Sequence, residues 1–277
     1  MGMKWRFFSD FVGEFIGAFI LVLFGCGSVL VSTVFGTASG LFQIGIVWGI
    51  GVTLAIYATR HLSCAHLNPA VTLAMAVTKR MNLRKVPTYL CAQFLGAFVA
   101  GLVLFLLFSS SIAAFESAHH IVRGTADSVT TARMFGEFYN APGGLGAGSM
   151  WVAMAAEGFG TFMLVLMIFF LTEGCNVGRP DDSNAPVFIG LTLTSLICLL
   201  APLSQAGFNP ARDFAARMVA LLFGWGKAAF PDAYGGFFWV YMLAPVVGGV
   251  LGGLLFTRIA LLMGKKEPCN CCEEKKS

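Results

Sequence analysis

Two short stretches, "HLNPAVT" beginning at His66 and "GFNPARD" beginning at Gly207, carry the residues of this 277-residue chain whose types and spacing could do chemistry. Each holds an Asn followed by Pro and Ala (Asn68-Pro69-Ala70 and Asn209-Pro210-Ala211), and the second adds Arg212 and Asp213. Proline is pre-set for the first turn of a helix, where its missing N–H costs nothing, and Asn is among the best residues just before it. Both stretches therefore predict helix starts. Two Asn amides so placed offer N–H donors, and two helix N-termini present positive dipole ends. Brought together between apolar walls, such groups suit water or a hydroxyl compound and oppose a proton or metal cation. The preceding loops, "RHLSCAHL" and "APLSQAGF", add backbone carbonyls as acceptors. Nothing here activates a nucleophile, so the pattern predicts passage rather than catalysis, with no cofactor and no metal.

The elements that must position these residues follow from composition. The hydrophobic fraction is 57%, the charged fraction 12% and the mean hydropathy +0.79, whereas a soluble domain is about 45–50% apolar and about 25% charged. Apolar runs long enough to cross a bilayer by helix recur at about 8–31, 41–58, 86–107, 150–171, 185–203 and 237–263. The first, with Asp10 and Glu14 at its start, is too long for a cleavable leader and is expected to stay. Lys4, Arg6, Lys79, Arg80, Arg84, Lys85, Arg179, Lys265, Lys266, Lys275 and Lys276 fall on one side if six spans alternate, against Arg123, Arg133 and Lys227 on the other. Cations collect on the cytoplasmic side, so both termini are expected there. The net charge of +4 thus reflects topology, and no nucleic-acid partner is expected. Of eight cysteines, Cys26, Cys64, Cys91, Cys175 and Cys198 lie in or beside spans and Cys269, Cys271 and Cys272 in a tail expected to be cytoplasmic, where thiols stay reduced. That tail, "EPCNCCEEKKS", could hold a metal or carry acyl chains and otherwise reads as disordered.

The chain also repeats itself. "GEFIGAFILVLFG" from Gly13 is matched by "AEGFGTFMLVLMI" from Ala156, and "FLGAFVAGLVLF" from Phe94 by "VVGGVLGGLLF" from Val246. Each half reads as three spans with one Asn-Pro-Ala element after the second. An odd number of crossings per repeat inverts the second half relative to the first and sets the site between them. The stretches 67–78 and 208–222 are too short to cross and must be buried in protein or line a watery cavity. They are expected to meet at their N-termini near the midplane. The division expected is one channel domain over 1–264, with repeats at about 8–109 and 149–263 joined by an extracellular loop 110–148, then a cytoplasmic tail 265–277. Small residues at helix spacing, such as Gly13 with Gly17, Ala97 with Gly101 and Gly248 with Gly252, predict close helix packing.

Over about 10–264 the chain resembles the major intrinsic proteins, and within them the aquaglyceroporin (glycerol facilitator) branch. The two Asn-Pro-Ala boxes, each after the second span of its half, carry the resemblance. It implies an all-α membrane fold of six transmembrane helices and two re-entrant half-helices, a homotetramer in which every subunit conducts, and a place in the plasma (cell inner) membrane. By resemblance Asn68 and Asn209 are the central donors, behind Pro69 and Pro210 at the helix starts, and Arg212 is the filter arginine near the extracellular mouth. Asp213 and Arg217 fit the glycerol branch, while Tyr241 and Met242, against Pro then an aliphatic residue in that branch and an aromatic then Trp in the water branch, are mixed. Counted against the family's constriction, the filter positions fall on Trp48, Ile197, Ala206 and Arg212, which looks like the nodulin-like plant channels. Trp48 and Ile197 would face the CH edges of a polyol and Arg212 its hydroxyls. Phe208, two residues from Ala206, supplies an aromatic ring if the loop is displaced.

Glu14 and Glu157 invite a proton-relay reading, but their symmetry suits acceptors that pin the two re-entrant loops, as such carboxylates do in the family. Asp213 is read as a brace for its loop, His66 as pore-lining, and His61 as a residue of the cytoplasmic mouth. The adjacent His119 and His120 lack other ligands, so their segment reads as a vestibule loop rather than a metal site. The function expected is a passive channel for glycerol, other small neutral solutes and water, with urea, undissociated weak acids and arsenite as further candidates. The alternatives are a water-selective aquaporin, a secondary transporter, or a scaffold that kept the fold and lost the pore.

Overall fold

The computed structural model describes residues 3–37, 40–140, 148–231 and 235–262. Six helices are long and apolar enough to cross a membrane. They are α1 (Met3–Phe35), α2 (Leu41–Thr59), α4 (Val86–Ala118), α6 (Met150–Thr172), α7 (Ala185–Ser204) and α9 (Ala244–Leu262), the last preceded by a π-helical turn at Phe238–Leu243. Two short helices, α3 (Pro69–Val77) and α8 (Pro210–Ala220), follow α2 and α7, and one turn of helix, α5 (Val129–Ala132), lies in the long central loop. No strand occurs among the described residues. The protein is an all-α, multi-pass membrane protein.

Short length is what makes α3 and α8 half-helices. Their 9 and 11 residues rise about 14 and 17 Å at ~1.5 Å per residue, half of a ~30 Å hydrocarbon core. Packing repeats in the two halves: α1 lies on α4 and α2 as α6 lies on α9 and α7, while α3 packs on α9 and α8 on α4. Each half-helix thus sits against the third span of the opposite half. The seam between halves is α2 on α7, where a Cβ on Gly49 would come within 2.5 Å of the Gly190 carbonyl and one on Gly190 within 2.4 Å of the Gly49 carbonyl. Only glycine permits that approach. Gly248 is equally closed, since its Cβ would stand 1.9 Å from the Gly158 carbonyl. Phe24, Leu95, Leu106, Phe159 and Leu254 are exposed on the outer faces, an apolar exterior that suits lipid.

Several expectations are corrected. α4 runs 11 residues past the expected end at 107, because "FSSSIAAFESA" contains neither Gly nor Pro to stop it. Gly13 and Gly17 chiefly seat the first re-entrant loop, facing Ser63 and Leu67, with Thr59 at the end of α2 also against Gly17. Arg80, one of the cations between the second and third spans, is 1% exposed, paired with Glu173 at 2.6 Å and stacked over Phe169. Cys26, Cys91, Cys175 and Cys198 are free thiols, and Cys64 is disulfide-bonded. The tail cysteines lie outside the described residues.

Candidate pore and filter

The loops entering α3 and α8 are built on the same plan. Both place non-glycine residues in the left-handed region, Ala65 and Leu67 at φ 49° and 57° and Ala206 and Phe208 at 61° and 52°. Such conformations cost roughly 1–2 kcal/mol per residue and persist only when held. Glu14 holds the first loop: Oε1 accepts from Ser63 Oγ and the His66 N–H, and Oε2 from the Leu67 N–H and Gln93 Nε2, all at 2.7–2.9 Å. Glu157 holds the second, accepting from Ser204 Oγ and the Gly207 N–H on Oε1 and from the Phe208 N–H on Oε2. Both carboxylates are fully buried. Burying a charge is tolerable only with such a full set of donors.

The loops deliver two Asn residues in extended conformation at the helix starts, with Pro69 and Pro210 as first helical residues. Asn68 Oδ1 accepts from the Ala70 N–H, and Asn209 Oδ1 from the Ala211 and Arg212 N–H groups. The amide nitrogens cross between halves: Asn68 Nδ2 donates to the Phe208 carbonyl at 2.8 Å and Asn209 Nδ2 to the Leu67 carbonyl at 2.9 Å. An amide nitrogen carries two hydrogens, so each keeps one donor. Leu67 and Phe208 are mates in side chain as well, filling slots over Gly17 and Gly160 where a Cβ would lie 2.2 and 2.1 Å away. The Phe208 ring is therefore committed to α6 and does not displace Ala206.

A cavity of about 550 Å³ runs past these residues, from Arg60, His61 and Asp182 at one end, by His66, Asn68 and Asn209, to Trp48, Ile197, Ala206 and Arg212. The eight residues expected on the pore, Asn68, Asn209, Trp48, Ile197, Ala206, Arg212, His66 and Phe208, all line it. His66 places Nδ1 3.3 Å from Thr72 Oγ1 and leaves Nε2 unpartnered. At the filter, the Trp48 ring rests in a slot over Gly25. The Arg212 guanidinium lies over that ring, 4.3 Å from its centroid. Arg212 Nη2 donates to Glu137 Oε1, whereas Nη1 is 3.8 Å from Asp213 Oδ1, too long for a hydrogen bond, and has no partner.

Asp213 and Arg217 face away from the cavity and fasten the central loop. Asp213 accepts from the Glu137 N–H at 2.6 Å and from Arg217 Nε and Nη2. Arg217 also donates to the carbonyls of Ala229 and Glu137 and stacks on Phe138. Tyr241 donates to the Ser204 carbonyl, which ties the sixth span to the second loop. Glu137 is the site residue that sequence reasoning missed. An acid inside the apolar run "MFGEFYN" was the available signal. His119 is exposed and stacked on Phe115, and no metal-binding cluster occurs among the described residues.

Six spans, two half-helices meeting at their starts and a continuous lined cavity define a membrane channel. The chain belongs to the major intrinsic protein family, whose sequence model matches residues 1–256. It is 39% identical to the glycerol uptake facilitator protein of Haemophilus influenzae over 96% of this chain and 98% of that one. It is 38% identical to the propanediol uptake facilitator PduF of Salmonella typhimurium, over 94% and 96%. Among solved structures, the aquaglyceroporin from Plasmodium falciparum superposes with a TM-score of 0.80 at 26% identity, covering 93% of this chain and 99% of that one.

Proposed function

We propose that this protein is a passive channel for glycerol, other small neutral solutes and water, working as a homotetramer in the cell inner membrane with both termini cytoplasmic. The observation that carries the reading is the filter, where the Arg212 guanidinium lies over the Trp48 ring and lines the cavity together with Ile197. A polyol has both faces, hydroxyls on one edge and CH groups on the other, and is matched by such a wall. Beyond the filter, the second hydrogens of Asn68 and Asn209 hand the solute on. Glu14 and Glu157, the two carboxyls that invite a proton-relay reading, are held by loop donors and do not line the cavity. The relatives named as glycerol and propanediol facilitators support the same solute class.

The test is stopped-flow light scattering on proteoliposomes with water, glycerol and urea, for the wild type and Arg212→Ala. Glycerol flux well above empty liposomes, linear in the gradient and without proton uptake, is the expected result. Fast water without glycerol would make the protein a water-selective channel instead.

A further inference from the structure

Arginine normally presents a planar fork that takes a carboxylate or other oxyanion through two parallel N–H bonds. A bare arginine at a channel constriction is therefore an anion site as well as a hydroxyl donor. Here the fork is half occupied from within. Glu137 is 6% exposed and Arg212 4%, and the Glu137 carboxylate accepts from Nη2. It does so from behind the wall, for Glu137 is not among the residues lining the cavity. The loop cannot drift away, because the Glu137 N–H is bonded to Asp213 and its carbonyl to Arg217. Asp213 is matched in turn by Arg217, so these four side chains form two ion pairs beside the filter.

We propose that Glu137 determines the charge specificity of the filter: it compensates Arg212 and engages Nη2, one of the two prongs a bidentate oxyanion would need, leaving the rest of the guanidinium to a neutral hydroxyl. This rests on the reading of Arg212 as the filter residue of a solute channel. The groups facing Glu137 are Arg212, Asp213 and Arg217 from α8, Glu157 from α6, Tyr241 from the sixth span and Cys26 from α1. Glu137 itself lies in the loop outside the spanning helices, where burial pushes its carboxyl up to about 7 against the lowering effect of Arg212 beside it. Below that pH the carboxyl is neutral and Arg212 loses its hydrogen-bonded counter-charge, keeping only the more distant Asp213; above it the pair is intact.

The probe is methanesulfonate, an oxyanion that stays ionised throughout, titrated against glycerol flux in proteoliposomes at constant osmolarity. Wild-type flux is expected to ignore it one pH unit above the Glu137 value. One unit below, the half-blocking concentration is expected to fall at least about tenfold, as removal of a compensating charge a few ångströms away requires. Glu137→Gln, which keeps the size and one acceptor, is expected to be blocked equally at both. Glycerol flux through Glu137→Gln that ignores methanesulfonate, or a wild-type response identical at the two pH values, would overturn the assignment. Should the variant not fold, the wild-type comparison decides by itself. Wild-type protein that carries no glycerol at all would overturn the channel reading and this inference with it, a result distinct from flux that ignores the anion.

Discussion

Glu14 answers four donors and Glu157 three, from the first and second re-entrant loops respectively and, for Glu14, from Gln93 of α4. A glutamine at either position has one accepting oxygen and sets an NH2 group against backbone N–H donors that have no other partner. Each buried donor left unpaired costs about 1–3 kcal/mol. Glu157→Gln and Glu14→Gln are therefore expected to lower the fluorescence-monitored melting temperature in detergent by several degrees. Melting curves that overlay the wild type would remove both residues from the set that holds the loops. Arg212 is tested differently. Losing its charge takes away one of the barriers to cations, the other being the facing helix starts at Asn68 and Asn209. Arg212→Ala is expected to admit protons, read with a pH dye inside the liposomes. A leak no greater than wild type would assign cation exclusion to the helix ends alone.

The loops reach the pore through slots on α1 and α6, and the two slots differ in what fills them. Gly160 faces the rigid ring of Phe208, while Gly17 faces the end of the flexible Leu67 side chain. Gly160→Ala is thus expected to push its loop toward the cavity and cut glycerol flux well below that of Gly17→Ala, which a rotamer change at Leu67 absorbs. Equal fluxes would mean that the second loop gives as easily as the first. Gly248→Ala meets backbone, the Gly158 carbonyl, so its expected effect is on folding yield in size-exclusion chromatography rather than on selectivity. These elements were readable in advance where the signal is local. Asn-Pro-Ala marks a helix start by its own chemistry, and the recurrence of Glu14 as Glu157 exposes the repeat. Glu137 was not readable, because what brings it to Arg212 is the pairing of its backbone with Asp213 and Arg217, 76 and 80 residues away. The burial of Arg80 was not readable for the same reason, since its partner Glu173 is 93 residues off.

At the scale of the whole molecule, the exposed apolar residues of the outer helices leave room for both lipid and sister subunits. The proposed homotetramer is checked by the mass of the protein in detergent, where light scattering is expected to give four chains, and a monomeric mass would sink it. The proposed orientation is checked by protease cleavage of a C-terminal tag, expected only when the cytoplasmic face is opened. One consequence follows from the crossed amides. Asn68 finds its acceptor at Phe208 and Asn209 at Leu67, so neither half can complete its own centre. A chain interrupted after its first three spans holds an amide and a carbonyl that lack mates, and the seam glycines of α2 have nothing to lie against. During synthesis the conduit therefore closes up last, when the two ends of the polypeptide have both arrived. A partly made copy is a membrane protein without a passage, and a cell is spared leaks from its own unfinished work.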